Sequence, residues 1–174
     1  MAYVVFYGSK PSELYVGLSV RPKGAEPGCY PMARALADTG ATDSCIDTEF
    51  AVRELKISPA GFVEICLPST TGALVAKAVP AFDVTVSVPE RTREGFVLPD
   101  GCSGGEIERT LRAVGLDSIP GSDGSNVSTL LFMIGMDLLS SVCFGYGKAV
   151  RSAVFWLANP AHSEDACLIT GRVE

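Results

Sequence analysis

Residues 35–46 read Ala-Leu-Ala-Asp-Thr-Gly-Ala-Thr-Asp-Ser-Cys-Ile. A short apolar run typical of a buried strand leads directly into Asp38, and Thr39, Gly40 and Ala41 follow it. An acid at the end of a strand has a fixed position, a glycine lets the backbone approach a neighbouring group closely, and a threonine hydroxyl can hold a loop by hydrogen bonding. This run therefore predicts a loop that presents one carboxylate.

A second pattern lies further along the chain, at residues 131–139, which read Leu-Phe-Met-Ile-Gly-Met-Asp-Leu-Leu. Here an apolar strand ending at Ile134 runs into Gly135 and Asp137. The two runs, in this order, resemble the active-site stretch and the second signature of the retropepsin family, the retroviral-type aspartic proteases. The cellular, bacterial-type members are the most similar. The resemblance implies that Gly135 allows close approach behind the Asp38 loop and that Asp137 is structural.

The resemblance implies a mostly β, closed barrel-like acid-protease fold with one or two short helices. It also implies an aspartic endopeptidase that needs no metal or organic cofactor. In such enzymes two aspartates share one proton, because like charges about 3 Å apart cannot both ionise. The chain holds one Asp-Thr-Gly triplet, so the second aspartate is expected from another copy in a homodimer. The alternative is a non-catalytic peptide-binding or assembly module on the same fold.

Residues 67–73 join two strand-like segments and resemble the flap, the hairpin that folds over bound substrate in this family. Gly72 would provide the bend, and the backbones of Thr70 and Thr71 would pair with a peptide. These three residues are therefore candidate substrate-binding residues.

The rest of the chain reads as one domain spanning residues 1–174, rich in short apolar or alternating segments separated by glycine and proline. A helix is predicted over residues 47–55, capped by Asp47 or Thr48. The strands are predicted at residues 3–7, 14–20, 34–37, 62–67, 74–79, 82–88, 130–134, 142–146, 153–157 and 166–170.

Residues 89–128 are rich in Gly, Ser, Asp and Pro and are interpreted as an insertion. Within them, residues 106–114 carry apolar side chains at helical spacing. Ser103 and Glu106 have the spacing of a capping box, and Gly115 follows, so a second helix is predicted here.

Composition limits the possible partners. The net charge is −6, and fourteen scattered basic residues do not form the patch that nucleic acids require. The longest apolar run, residues 130–136, is too short to cross a bilayer.

No two of the six cysteines have the spacing of a zinc site, and no secretory signal opens the chain. Free thiols and a cytoplasmic location are therefore predicted.

A rival enzyme class is suggested by residues 101–105, which match the Gly-x-Ser-x-Gly nucleophile elbow of α/β-hydrolases. That fold requires alternating strands and helices before the elbow, and a histidine after an acid. The only histidine here is His162, near the end of the sequence. Ser103 is therefore interpreted as a helix cap and not as a nucleophile.

Overall fold

The computed structural model of the chain describes residues 4–6, 15–68, 72–90, 97–119, 130–149 and 152–161. These residues form a mostly β structure, as predicted, with two short helices: a π-helix, Phe50–Glu54, and an α-helix, α1, Met136–Leu139. The strands are β1 Val4–Phe6, β2 Tyr15–Pro22, β3 Met32–Ala37, β4 Cys45–Asp47, β5 Gly61–Pro68, β6 Leu74–Val88, β7 Cys102–Ser103, β8 Ile107–Leu116, β9 Phe132–Ile134, β10 Cys143–Ala149 and β11 Ser152–Pro160.

The strands form two sheets. The smaller sheet has the order β1-β11-β10, with β7 also paired to β11. The larger sheet has the order β2-β3-β9-β4-β8-β6-β5. Because β2 also pairs with β6, six of its strands close into a ring, and β5 lies outside the ring as the partner of β6.

Buried and exposed side chains alternate along the strands, and the buried ones form the core. In β2, every second residue from Val16 to Val20 is buried, as expected for a strand with one face turned inward. Large apolar side chains from the strands of the ring meet inside it, and burying each one contributes roughly 1.5–3 kcal/mol. Those that are completely buried include Leu18, Ile46, Phe82, Phe132 and Ile134.

The helix predicted over residues 106–114 is wrong. These residues belong to β8, which pairs in parallel with β4 and antiparallel with β6 at the centre of the larger sheet. The capping interpretation of Ser103 is also wrong, because this residue lies in β7 and its hydroxyl is 3.4 Å from the carbonyl oxygens of Asn159 and Pro160. The β8 part of the segment 89–128 is thus integral to the ring. Its status as an insertion relative to other proteins stays a prediction.

The helix predicted over residues 47–55 is confirmed, with a π-helical rather than an α-helical core. The Asp47 carboxylate accepts a hydrogen bond from the Phe50 amide at 2.8 Å, which is the capping role predicted for it. Where two strands were predicted over 74–79 and 82–88, one continuous strand, β6, runs through Pro80. The predicted strand 166–170 lies outside the described residues.

The five cysteines among the described residues are free, as predicted. No helix within the described ranges has the length and apolar character needed to cross a membrane.

Candidate active site

Asp38 follows the last residue of β3, and its position is fixed by the neighbouring parallel strand. In the register of the two strands, Leu36 lies beside Met133 and Ala37 beside Ile134. The pairing extends one step further, because the Asp38 amide donates a hydrogen bond of 3.0 Å to the carbonyl oxygen of Ile134. The chain segments that carry the two sequence motifs therefore leave the sheet side by side.

The Asp38 loop is a tight turn around the carboxylate. The Gly40 amide donates to Asp38 Oδ1 at 2.8 Å, and the Ala41 amide donates to the Asp38 carbonyl at 3.3 Å. A Cβ at position 40 would lie 3.2 Å from Asp38 Oδ1, so any side chain there would have to displace the carboxylate slightly. Asp38 itself is half-buried, whereas Thr39 and Gly40 are exposed. The loop thus holds the carboxylate firmly but leaves its surface open.

Gly135 packs directly behind this loop, as the resemblance implied. A Cβ at this position would lie 2.5 Å from the carbonyl carbon of Asp43 and 2.8 Å from the amide nitrogen of Ser44. Both are backbone atoms, so any side chain would have to push the loop away from β9. The glycine is therefore required by the close approach of the two segments.

Backbone hydrogen bonds also join the loop to the start of α1. The Met136 amide donates to the Ala41 carbonyl at 2.8 Å, and the Asp137 amide donates to the Thr42 carbonyl at 3.0 Å. Ala41 thus acts through its backbone: its carbonyl oxygen accepts from the Met136 amide of α1, and its own amide donates to the Asp38 carbonyl. The first turn of α1 and the Asp38 loop are locked together.

Asp137 is structural in this arrangement. Its Oδ1 accepts hydrogen bonds from the Ser44 hydroxyl at 2.6 Å, the Ser44 amide at 3.0 Å and the Leu138 amide at 2.8 Å. The same Ser44 hydroxyl accepts from the Gly135 amide at 3.0 Å. One fully buried hydroxyl therefore ties Gly135 and Asp137 to the Asp38 loop.

Sequence reasoning missed Ser44. The available signal was a small polar residue immediately before the apolar pair Cys45 and Ile46, where the chain enters β4. A polar side chain at the entrance of a buried strand needs a partner, but the sequence does not indicate that the partner is 93 residues away.

Negative charge concentrates around the loop. Burial, followed by the nearby carboxylates of Asp43, Asp137 and Asp38, raises the pKa of the Cys45 thiol to about 12. This thiol is therefore protonated at neutral pH and is a poor nucleophile.

Apolar side chains pack against the strand residues that precede Asp38. Leu36, two residues before it, packs in a small cluster with Ile119 and Leu130. Met133, the neighbour of Leu36 in the register, contacts both this cluster and a second one formed around Cys45, Val79 and Val114. The carboxylate thus follows a strand segment that is anchored by buried apolar side chains.

The hairpin predicted over residues 67–73 is present: β5 and β6 pair antiparallel from Gly61 opposite Ala81 out to Pro68 opposite Leu74. Gly72 has a φ of +80°, which supplies the predicted bend. Thr70 and Thr71 lie outside the described residues. Leu74 is 72% exposed, so the hairpin extends beyond the packed core. Its role as a flap stays a prediction.

A groove of about 700 Å³ lies elsewhere, lined by residues that include Met32, Asp47, Asp117 and Leu131. These residues stand at the starts of β3 and β9 and at the ends of β4 and β8, whereas Asp38 follows the end of β3. The groove is therefore separate from the candidate active site.

The hydrolase alternative gains no support from the geometry of the described residues. Ser103 lies in a two-residue strand and not in a turn between a strand and a helix, and His162 lies outside the described residues. Within the described ranges, no three His, Cys, Asp or Glu side chains cluster as a metal site would require.

Comparison of the chain with protein-family models gives no match, and comparison with curated proteins gives none either. The functional assignment therefore depends on the geometry of the chain itself and on its two sequence motifs.

Proposed function

We propose that the chain is a retropepsin-like aspartic endopeptidase that acts as a homodimer, with one Asp38 from each subunit. The observation that carries the proposal is the interlock between the two motifs. Asp38 is bonded to Ile134 through its amide, and Ser44 joins the loop to Gly135 and Asp137. An ordinary surface acid requires no such support, because water solvates it adequately.

Two features support the dimer: the single Asp-Thr-Gly triplet in the chain and the open face of the Asp38 loop. Thr39 and Gly40 are exposed, and the first has a small side chain and the second has none, so a second copy can bring its own loop close. A two-fold axis would place the two Asp38 carboxylates together without any further partner. Two carboxylates about 3 Å apart hold a single proton between them.

This arrangement supplies both an acid and a base. The ionised Asp38 takes a proton from a water molecule, and the oxygen of that water attacks the peptide carbonyl carbon. The protonated Asp38 of the other subunit gives its proton to the carbonyl oxygen. Collapse of the tetrahedral intermediate breaks the C–N bond, and the departing nitrogen receives the proton taken from the water. One hydroxyl of the intermediate returns its proton to the second Asp38, which leaves a carboxylic acid and restores the shared proton. The Gly40 amide keeps Asp38 Oδ1 in place throughout.

The substrate class follows from the walls of the site. Met133 lies partly exposed in the strand beside the Asp38 segment, and the β5–β6 hairpin exposes Phe62 and Leu74, so apolar side chains are favoured beside the cleaved bond. Predicted substrates are therefore peptides with Leu, Phe, Met or Val at the cleavage point, held beneath the β5–β6 hairpin.

The test is the cleavage of a diverse peptide library by wild type and by Asp38→Asn, followed by mass spectrometry. Loss of one carboxylate from each subunit removes the proton exchange, so the cleavage rate should fall at least about 100-fold. The matched control is Asp100→Asn, an exposed acid in the turn before β7. Cleavage that persists in purified Asp38→Asn would refute the assignment.

Concentration dependence tests the dimer. Specific activity should fall on dilution, and light scattering should report a loss of mass over the same concentration range. A fully active monomer would contradict the shared pair.

A non-catalytic peptide-binding module is the second candidate, favoured by the exposed apolar side chains of the hairpin. Phe62 is 75% and Leu74 is 72% exposed, and such residues bind peptides whether or not cleavage follows. In this case wild type and Asp38→Asn would bind the same peptides with equal affinity, and neither would cut them.

A further inference from the structure

Two cysteines that are distant in sequence meet beside the smaller sheet. Cys102 pairs with Pro160 through β7, and Cys143 pairs with Ala158 through β10, so the two cysteines lie opposite positions of β11 that are two residues apart. The two side chains are close enough to interact. The Cys143 thiol also lies 4.0 Å from the carbonyl oxygen of Gly101, the residue before Cys102.

The two thiols differ in access to solvent. Cys143 is buried at 3% exposure, whereas Cys102 is partly exposed. A small reagent can therefore reach Cys102, and Cys143 is a buried neighbour. A neighbouring pair with one accessible and one buried sulfur has the arrangement of an attacking and a resolving cysteine.

We propose that Cys102 and Cys143 form a redox-active dithiol that closes into an intrachain disulfide when a low-molecular-mass disulfide is the oxidant. This site does not depend on the proposed peptidase activity. It would link the ends of residues 102–143, the segment that contains β8, β9 and α1 and hence Gly135 and Asp137.

The reaction proceeds in two exchanges. The Cys102 thiolate attacks the S–S bond of the reagent and releases one small thiolate, leaving a mixed disulfide on Cys102. The Cys143 thiolate then attacks the sulfur of Cys102 and releases the second small thiolate. The two protein thiols lose two electrons and two protons, and the reagent gains both as two thiols.

Burial and the contact with Cys143 raise the pKa of the Cys102 thiol to about 12. Little thiolate is present at neutral pH, so exchange should be slow there and faster in alkaline buffer. The closed form should unfold at a higher temperature, because the crosslink restricts the unfolded chain.

The experiment treats the full-length protein with glutathione disulfide under non-reducing conditions and reads the product by intact mass and peptide mapping. The expected product is a monomeric chain two mass units lighter, with Cys102 joined to Cys143. Its thermal midpoint should lie roughly 5–15 °C above that of the reduced protein. Added reducing thiol should restore the original mass and midpoint.

Variants separate this site from the other thiols. Cys143→Ser should stop at the mixed disulfide on Cys102, whereas Cys29→Ser, which alters an exposed cysteine in another part of the structure, should still form the crosslink. A stable mixed disulfide in the wild type, a crosslink mapped to other cysteines, or no change in mass after prolonged alkaline treatment would each overturn the proposal.

Discussion

Replacing Ser44 with alanine should remove the hydroxyl hydrogen bonds that join the Asp38 loop to Gly135 and Asp137, while changing the volume of the side chain very little. The serine is completely buried, and its hydroxyl both donates to Asp137 and accepts from Gly135. Alanine can do neither, and a buried position leaves no room for water to substitute.

The magnitude follows from the two bonds. The buried Gly135 amide would lose its acceptor, and an unsatisfied buried donor costs about 1–3 kcal/mol. Asp137 is exposed, so water can replace the lost donor on its carboxylate, and this part is closer to 1 kcal/mol. We expect a loss of about 3 kcal/mol in the free energy of unfolding. For a chain of this size, that corresponds to a fall of roughly 6–12 °C in the thermal midpoint.

The assay is urea unfolding followed by circular dichroism at one fixed protein concentration, because dimerisation would make the midpoint depend on concentration. Ser140→Ala, in an exposed serine just after α1, is the matched control and should stay within about 0.5 kcal/mol of wild type. If Ser44→Ala is as stable as this control, the reasoning about the buried junction is refuted.

Two further predictions concern the close packing behind the loop and a partly buried ion pair. Gly135→Ala should lower the free energy of unfolding by roughly 1–3 kcal/mol or more, because the new Cβ would lie 2.5 Å from backbone atoms. Gly61→Ala has open space around the new Cβ and should change it by less than about 0.5 kcal/mol. Equal effects of the two substitutions in thermal unfolding would contradict the packing argument. The hydrogen bond from Arg21 lowers the pKa of Glu108 from its ordinary value of 4.5, so this pair stabilises the fold above that pH and loses its contribution as the pH falls further. The stability difference between wild type and Arg21→Met should therefore be larger at pH 7 than at pH 3, and a difference independent of pH would sink the idea.

Most strands could be predicted because apolar and polar residues alternate along them, with one face buried and one exposed. In β8 this alternation is interrupted. Ile107, Leu111 and Ala113 share one face of this strand with Arg109, a charged residue that interrupts the apolar period. Its guanidinium is accommodated by hydrogen bonds to the hydroxyl and carbonyl of Ser141 and to the Asn159 side chain. These partners are distant in sequence, so the remaining apolar residues match a helical spacing by coincidence.

The candidate site was predictable to the extent that its residues act locally. Asp38 and Gly40 contact each other within a single turn, and Gly135 stands out between an apolar strand and an acid. The contribution of Ser44 could not be predicted, because its two partners, Gly135 just after β9 and Asp137 in α1, are encoded far downstream. Pairing between β3 and β9 brings them together, and no local pattern specifies that pairing.

The separation of 93 residues between Ser44 and Asp137 also orders events during translation. At about 5–20 residues per second, the ribosome adds Asp137 roughly 5–20 s after Ser44. Throughout that interval, the loop around Asp38 lacks the strand and the helix that hold it. A nascent chain therefore cannot assemble its acidic centre until most of the ring has been synthesised, and this delay separates the growing polypeptide from any activity that the finished centre has.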